Sequence, residues 1–204
     1  MRVLALLVSY ILHPLWTPLI VLGLLWWLDP WLRLQPAVML YVGSVFLINA
    51  LAPAVSIYML HKRGVLGDLE VSERTERQWP FLIVLFYQTL GLFALTRPGV
   101  YLPSEVLGLV VAMMASLVLA LLVNRRFKMS MHLLANGGAF GAIWAFNRLH
   151  GLGLEAWLPL GFLLAGVVGW SRMKLGVHTP AELAVGFLVG FALMRAVVES
   201  GWTL

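Results

Sequence analysis

Apolar residues run through this chain in long blocks separated by short polar connectors, and the blocks are too long for strands. Seven such runs of about 16 to 26 residues, bounded by charges, Pro or Gly, cover 3–28, 36–60, 80–97, 104–123, 132–149, 155–170 and 179–198. A helix of that length reaches across the ~30 Å hydrocarbon core of a bilayer. The pattern predicts an all-α, polytopic transmembrane bundle of about six to seven spans, with 1–204 as a single integral-membrane domain. The first run is interrupted by His13-Pro14 and Pro18. A proline inside a helix removes a hydrogen bond and crowds the preceding turn, which predicts a kinked or re-entrant segment. Leu15-Trp16-Thr17-Pro18 offers no small-residue cleavage site, so this segment is expected to stay in the mature protein.

Composition supports that class. The 204 residues are 61% hydrophobic and only 11% charged, against about a quarter charged in soluble domains. Trp26, Trp27, Trp31, Trp79, Trp157 and Trp170 fall near predicted helix ends, where an indole buries its ring and keeps its N–H among headgroups. Small residues four apart, at Gly137/Gly141, Gly161/Ala165/Gly169 and Gly186/Gly190, predict close packing of the last three helices. With no cysteine, disulfides, thiolate nucleophiles and cysteine-bound metals are excluded.

The net charge of +5 fits loops that meet phospholipid headgroups or a phosphorylated substrate, and nucleic acid is not expected as a partner. Threading the runs alternately across the bilayer puts the connectors 61–79, 124–131 and 171–178 on one side. They carry nine basic residues, against Arg33, Arg97, Arg148 and Arg195 on the other. Positive-inside bias would make the first side cytoplasmic. Setting aside Arg74, Arg77, Lys128 and Arg172 as anion-binding candidates leaves five against four, and the orientation stays open.

Candidate chemistry sits in those three connectors. In the third, Thr179-Pro180-Ala181-Glu182 reads as a helix start with a capping box. His178 and Glu182, four apart, share a face, so the carboxylate can also accept Nδ1–H of the imidazole and leave Nε2 as nucleophile or base. The two readings are compatible. In the second, Lys128, Ser130 and His132 alternate at the mouth of the fifth run, where helix amides favour an anion. In the first, Arg77 lies three residues before Pro80, placed to bind phosphate oxygens in bidentate fashion. His13 reads as a polar group at the kink, and His61 and His150 have no partner pattern.

Together the three connectors resemble the type 2 phosphatidic acid phosphatase (PAP2) superfamily of membrane lipid phosphatases, over roughly residues 60–195. Ser171-Arg172, five residues, His178, three residues and Glu182 resemble that family's Ser-Arg-x5-His-x3-Asp signature, with Glu for Asp. Ser130-Met131-His132 is similar to Pro-Ser-Gly-His, with Met129 and Met131 where Pro and Gly are usual. The first motif, Lys-x6-Arg-Pro, departs most: Glu70 stands at its lysine position, and Pro80 is displaced by two.

The resemblance implies metal-independent phosphoryl transfer through a phosphohistidine, without a cofactor. His178 would be the nucleophile, Glu182 its orienting carboxylate, and His132 the acid and then the base. Arg172, Arg77, Lys128, Ser130 and Ser171 would hold the phosphate, with Lys128 replacing the missing lysine and Arg74 in reserve. The function expected is hydrolysis of a lipid phosphate or diphosphate, in the inner membrane of a bacterium. Alternatives are a lipid phosphotransferase using the same site, a transporter of an anionic solute, or a non-catalytic lipid-binding subunit. Membrane lipids are the other expected partners.

Overall fold

A computed structural model describes residues 1–69, 71, 73–99 and 101–201, with the side chain of Pro36 excepted. Every regular element among them is helical. The first run divides where its prolines fall, into α1 (Arg2–Ile11) and α2 (Thr17–Leu28). Between them the His13 carbonyl accepts from the amides of Trp16 and Thr17 and from the Thr17 hydroxyl, while His13 Nδ1 accepts from the Leu15 amide at 3.2 Å. Backbone polar groups freed by the break are thus satisfied locally, as a low-dielectric setting demands.

A one-turn α3 (Pro30–Arg33) follows, capped by Asp29, whose Oδ1 accepts from the Trp31 amide at 2.9 Å. The other Asp29 oxygen bonds His150 Nδ1, tying this turn to a residue 121 positions further along the chain. The second run is α4 (Pro36–Val45) and α5 (Ala52–Lys62), joined by a wide π turn over Phe46–Leu51. Pro53 explains the turn: its ring cannot pack against a carbonyl four residues back, and widening the helix relieves that clash. Then come α6 (Gln78–Leu95), α7 (Ser104–Val123), α8 (Met131–His150), α9 (Leu158–Lys174, entered through a short turn at Glu155–Trp157) and α10 (Pro180–Glu199).

Among the described residues five helices are long and apolar enough to cross a membrane: Ala37–Lys62, Gln78–Leu95, Ser104–Val123, Glu155–Lys174 and Pro180–Glu199. That number is lower than the six to seven expected from the sequence, for two physical reasons. The first run is cut into two helices of 10 and 12 residues, each too short to span alone. Helix α8, which follows the second connector, has the length but carries His132, Asn136, Asn147, Arg148 and His150, which dilute its hydropathy.

Glycine sets how the site end is assembled. A Cβ on Gly137 would lie 2.0 Å from the Phe187 carbonyl oxygen, on Gly190 2.1 Å from that of Leu134, and on Gly186 2.7 Å from that of Ser130. Those are backbone atoms that cannot swing aside, so α8 and α10 approach as only bare backbones can. Gly161 instead receives the Phe140 ring, 2.4 Å from where a Cβ would stand, and α9 packs on α8 through side chains. The expected close packing therefore holds most tightly for one pair of helices. Helix α1 lies against α9, with Val8 and Leu12 packed on Leu133, Val168 and Leu183.

Candidate active site

Five element ends meet at one end of the bundle: the start of α6, α8 and α10, the end of α9 and the end of α1. The closest backbone link is the Ser130 amide donating to the Glu182 carbonyl at 3.2 Å, directly above the Gly186 contact. It places the second and third connectors side by side. The first is strapped on by Arg77, whose Nη1 donates to the Met129 carbonyl and Nε to the Val71 carbonyl, both at 3.2 Å. Val71 holds φ 48°, a region that β-branched residues rarely enter. Glu70, which stands where the family signature has lysine, lies outside the described residues.

The start of α10 has both roles that its sequence allows. Glu182 closes the capping box, its carboxylate accepting from the Thr179 amide at 3.2 Å while Thr179 Oγ1 accepts from the Glu182 amide at 3.4 Å. The same carboxylate oxygen accepts Nδ1–H of His178 at 2.8 Å. That bond fixes the tautomer and leaves the Nε2 lone pair available. The His178 side chain is 2% exposed. Burial is the main reason its pKa falls to about 4; the Glu182 bond acts in the opposite direction, and the charges of Arg77 and Arg172 push it down further. Burial, followed by the charge of Arg172, also lowers the pKa of Arg77. Two guanidiniums are therefore close enough to a neutral imidazole to act on it.

His132 is the second residue of α8, whose N-cap Ser130 accepts at Oγ from the Leu133 amide. It is buried and close enough to His178 for charge on one ring to be felt at the other. His132 Nε2 bonds the Ser9 carbonyl at 3.2 Å; because a carbonyl can only accept, Nε2 carries the proton. The His13 ring lies edge-on to it, centroids 5.2 Å apart.

Ser9 is the residue that sequence reasoning missed. It is fully buried, and groups from two connectors converge on it. Arg172 Nη1 donates to Ser9 Oγ at 3.1 Å, and Ser9 Oγ lies 3.1 Å from Ser171 Oγ, which itself donates to the Val168 carbonyl at 2.8 Å. Ser9 thus passes the chain of hydrogen bonds from Arg172 to Ser171 while its carbonyl holds His132. The signal that could have found it is weak: one hydroxyl in an apolar helix, in a setting where polar groups are costly.

The remaining candidates divide. Ser171 and Arg172 are buried beside Ser9, and Lys128 is half-buried on the same connector as Ser130. The amide of Ser130 itself donates to the Glu182 carbonyl. Arg74 turns to the Arg125 carbonyl, 2.8 Å from Nη1, and its own carbonyl accepts from Asn124. Among the described residues no three His, Asp or Glu side chains converge so as to hold a metal ion.

Below the site an apolar cavity of about 120 Å3 opens between α2, α4, α6, α7, α8 and α10. Pro14, Leu15 and Met131, the chain neighbours of His13 and His132, form its upper wall, and Leu22, Ala142 and Met194 its lower part. Its polar lining includes Thr17, Ser116 and the Asn49–Gln88 pair, in which Gln88 Nε2 donates to Asn49 Oδ1 at 2.7 Å. No protein-family model, curated protein or solved structure matches the chain, so the residues alone carry the functional reading.

Proposed function

We propose that the chain is an integral membrane phosphatase of PAP2 type that hydrolyses a lipid phosphate or diphosphate, with six to seven passes once α8 and the α1–α2 pair are counted. The observation that carries this reading is His178: a buried imidazole with Nδ1–H on Glu182, Nε2 open, and Arg77 and Arg172 nearby. In this account Nε2 attacks phosphorus in line, and the bond to the lipid oxygen breaks. With the anionic substrate bound, His132 enters as the imidazolium, protonated on both ring nitrogens, and the departing oxygen takes the Nε2 proton that now rests on the Ser9 carbonyl. His132, left neutral and unprotonated at that nitrogen, then removes a proton from water as the water attacks the phosphohistidine, releasing phosphate and restoring both rings. Phosphoryl transfer asks chiefly for positioning and for cations about the equatorial oxygens, a task assigned to Arg172, Arg77 and Lys128, with Ser130 and Ser171 shaping the cradle. The lipid tail occupies the cavity beneath.

A second reading, a non-catalytic lipid-binding protein, draws on Ser9, which occupies donors that a phosphate would need. Phosphate release from a panel of lipid phosphates separates the two. Purified wild type should release phosphate from at least one lipid, in the presence of chelator as well as without it. His178→Ala should abolish release, and His132→Ala should slow it on the order of 10²–10⁴-fold. No release from any lipid would favour the second reading.

A further inference from the structure

Arg74 is a candidate for the substrate's phosphate by sequence, yet its guanidinium is engaged by the Arg125 carbonyl. It lines a separate groove between the start of α6 and the end of α7, together with Arg125, Gln78, Leu82 and Leu121. Three features of this groove point to one ligand. Two arginines line it, and among the described residues no carboxylate does, so an anion is the complementary guest. Arg74 is fixed at one end by its hydrogen bond, which leaves a planar donor set preorganised for phosphate oxygens. Finally, the groove crosses the boundary of the hydrocarbon: Leu82 lies one turn inside the α6 span and Leu121 near the end of the α7 span, while both arginines lie outside the spans. A free phosphate would gain nothing from the two leucines. A phospholipid would gain from both ends.

We infer that this groove is a binding site for an anionic phospholipid of the surrounding bilayer, its phosphate on Arg74 and Arg125 and the top of an acyl chain against Leu82 and Leu121. The site is independent of the proposed chemistry. It also sits on the seam where Arg74 and Asn124 tie the first connector to the second, so an occupant would brace the loops that present Arg77 and Ser130.

The test is lipid retention by the full-length protein in detergent, counted by native mass spectrometry with phosphatidylglycerol or phosphatidylcholine as the probe. At roughly one factor of five per basic residue near a membrane surface, Arg74→Ala/Arg125→Ala should hold phosphatidylglycerol about thirtyfold more weakly than wild type. Arg125→Glu should lose retention as well; its side chain is exposed and the bond to Arg74 uses its backbone carbonyl, so this variant leaves the loop seam intact. Arg126→Ala, on the same connector but outside the groove, should behave as wild type. The inference is overturned if wild type retains both lipids equally, if Arg125→Glu retains phosphatidylglycerol unchanged, or if inorganic phosphate displaces the lipid as readily as free phosphatidylglycerol does. Phosphatase activity does not enter any of these readouts, so either account can fail without the other.

Discussion

At the scale of single residues, the protonation of His178 decides when the site is ready. Burial, opposed by Glu182, lowers its pKa to about 4. In the proposed mechanism the attacking form is neutral, so activity governed by this group should stay level as pH falls from 7 toward 5 and decline only near 4. A profile whose acid limb lies at the ordinary imidazole value, about 6.5, would show that His178 is solvated and ordinary. The same shift bears on stability. The unfolded chain takes up a proton near 6.5 and the folded one only near 4, so the folded state is favoured above 6.5 and loses stability as pH drops between those values. Glu182→Gln removes a carboxylate that raises the His178 pKa, and the acid limb should move lower still. The loss of orientation should appear as a drop in kcat, and an unchanged kcat would mean that Glu182 serves only the helix cap. Ser9→Ala removes both hydrogen bonds of the Ser9 hydroxyl, to Arg172 and to Ser171, and should cost on the order of 1–3 kcal/mol in thermal unfolding.

At the scale of helices, the account rests on how closely α8 and α10 approach. Gly137→Ala or Gly190→Ala forces a methyl into a carbonyl oxygen 2.0 or 2.1 Å away, and the helices must part. Overpacking of this kind costs on the order of 1–3 kcal/mol, and it should also separate Ser130 from Glu182 and impair any activity of the site. Gly166→Ala, which would meet nothing within 4 Å, should unfold at the wild-type temperature. Equal unfolding temperatures for Gly190→Ala and Gly166→Ala would contradict the seam. Helix bounds were largely legible in the sequence: the run 104–123 matches α7, and 132–149 and 179–198 differ from α8 and α10 by a residue at each end. The π turn was not, because Pro53 signals a disturbance without saying whether the helix will bend, break or widen.

At the scale of the whole molecule, the sequence already implied that three distant connectors face one side, since alternate crossing of a bilayer allows little else. It also marked the His178–Glu182 pair, because spacing of four on a helix start is a local relation. What it concealed is what depends on tertiary approach. Ser9 reaches Ser171 and Arg172 across more than 160 residues of sequence, and no spacing rule connects them. Arg77 and Arg74, three residues apart, look alike in sequence yet bind the carbonyls of Met129 and Arg125 in different pockets. The first helix, which the family resemblance leaves unexplained, is the element that completes the site.

The central claim is a covalent phosphoryl group on His178. The direct measurement is acid quenching of the purified protein during turnover of a radiolabelled lipid phosphate, followed by peptide mapping of the label. A phosphohistidine at His178, accumulating in His132→Ala and absent from His178→Ala, is the expected result. Phosphate release that continues with no label on His178, or label that persists in His178→Ala, would contradict it.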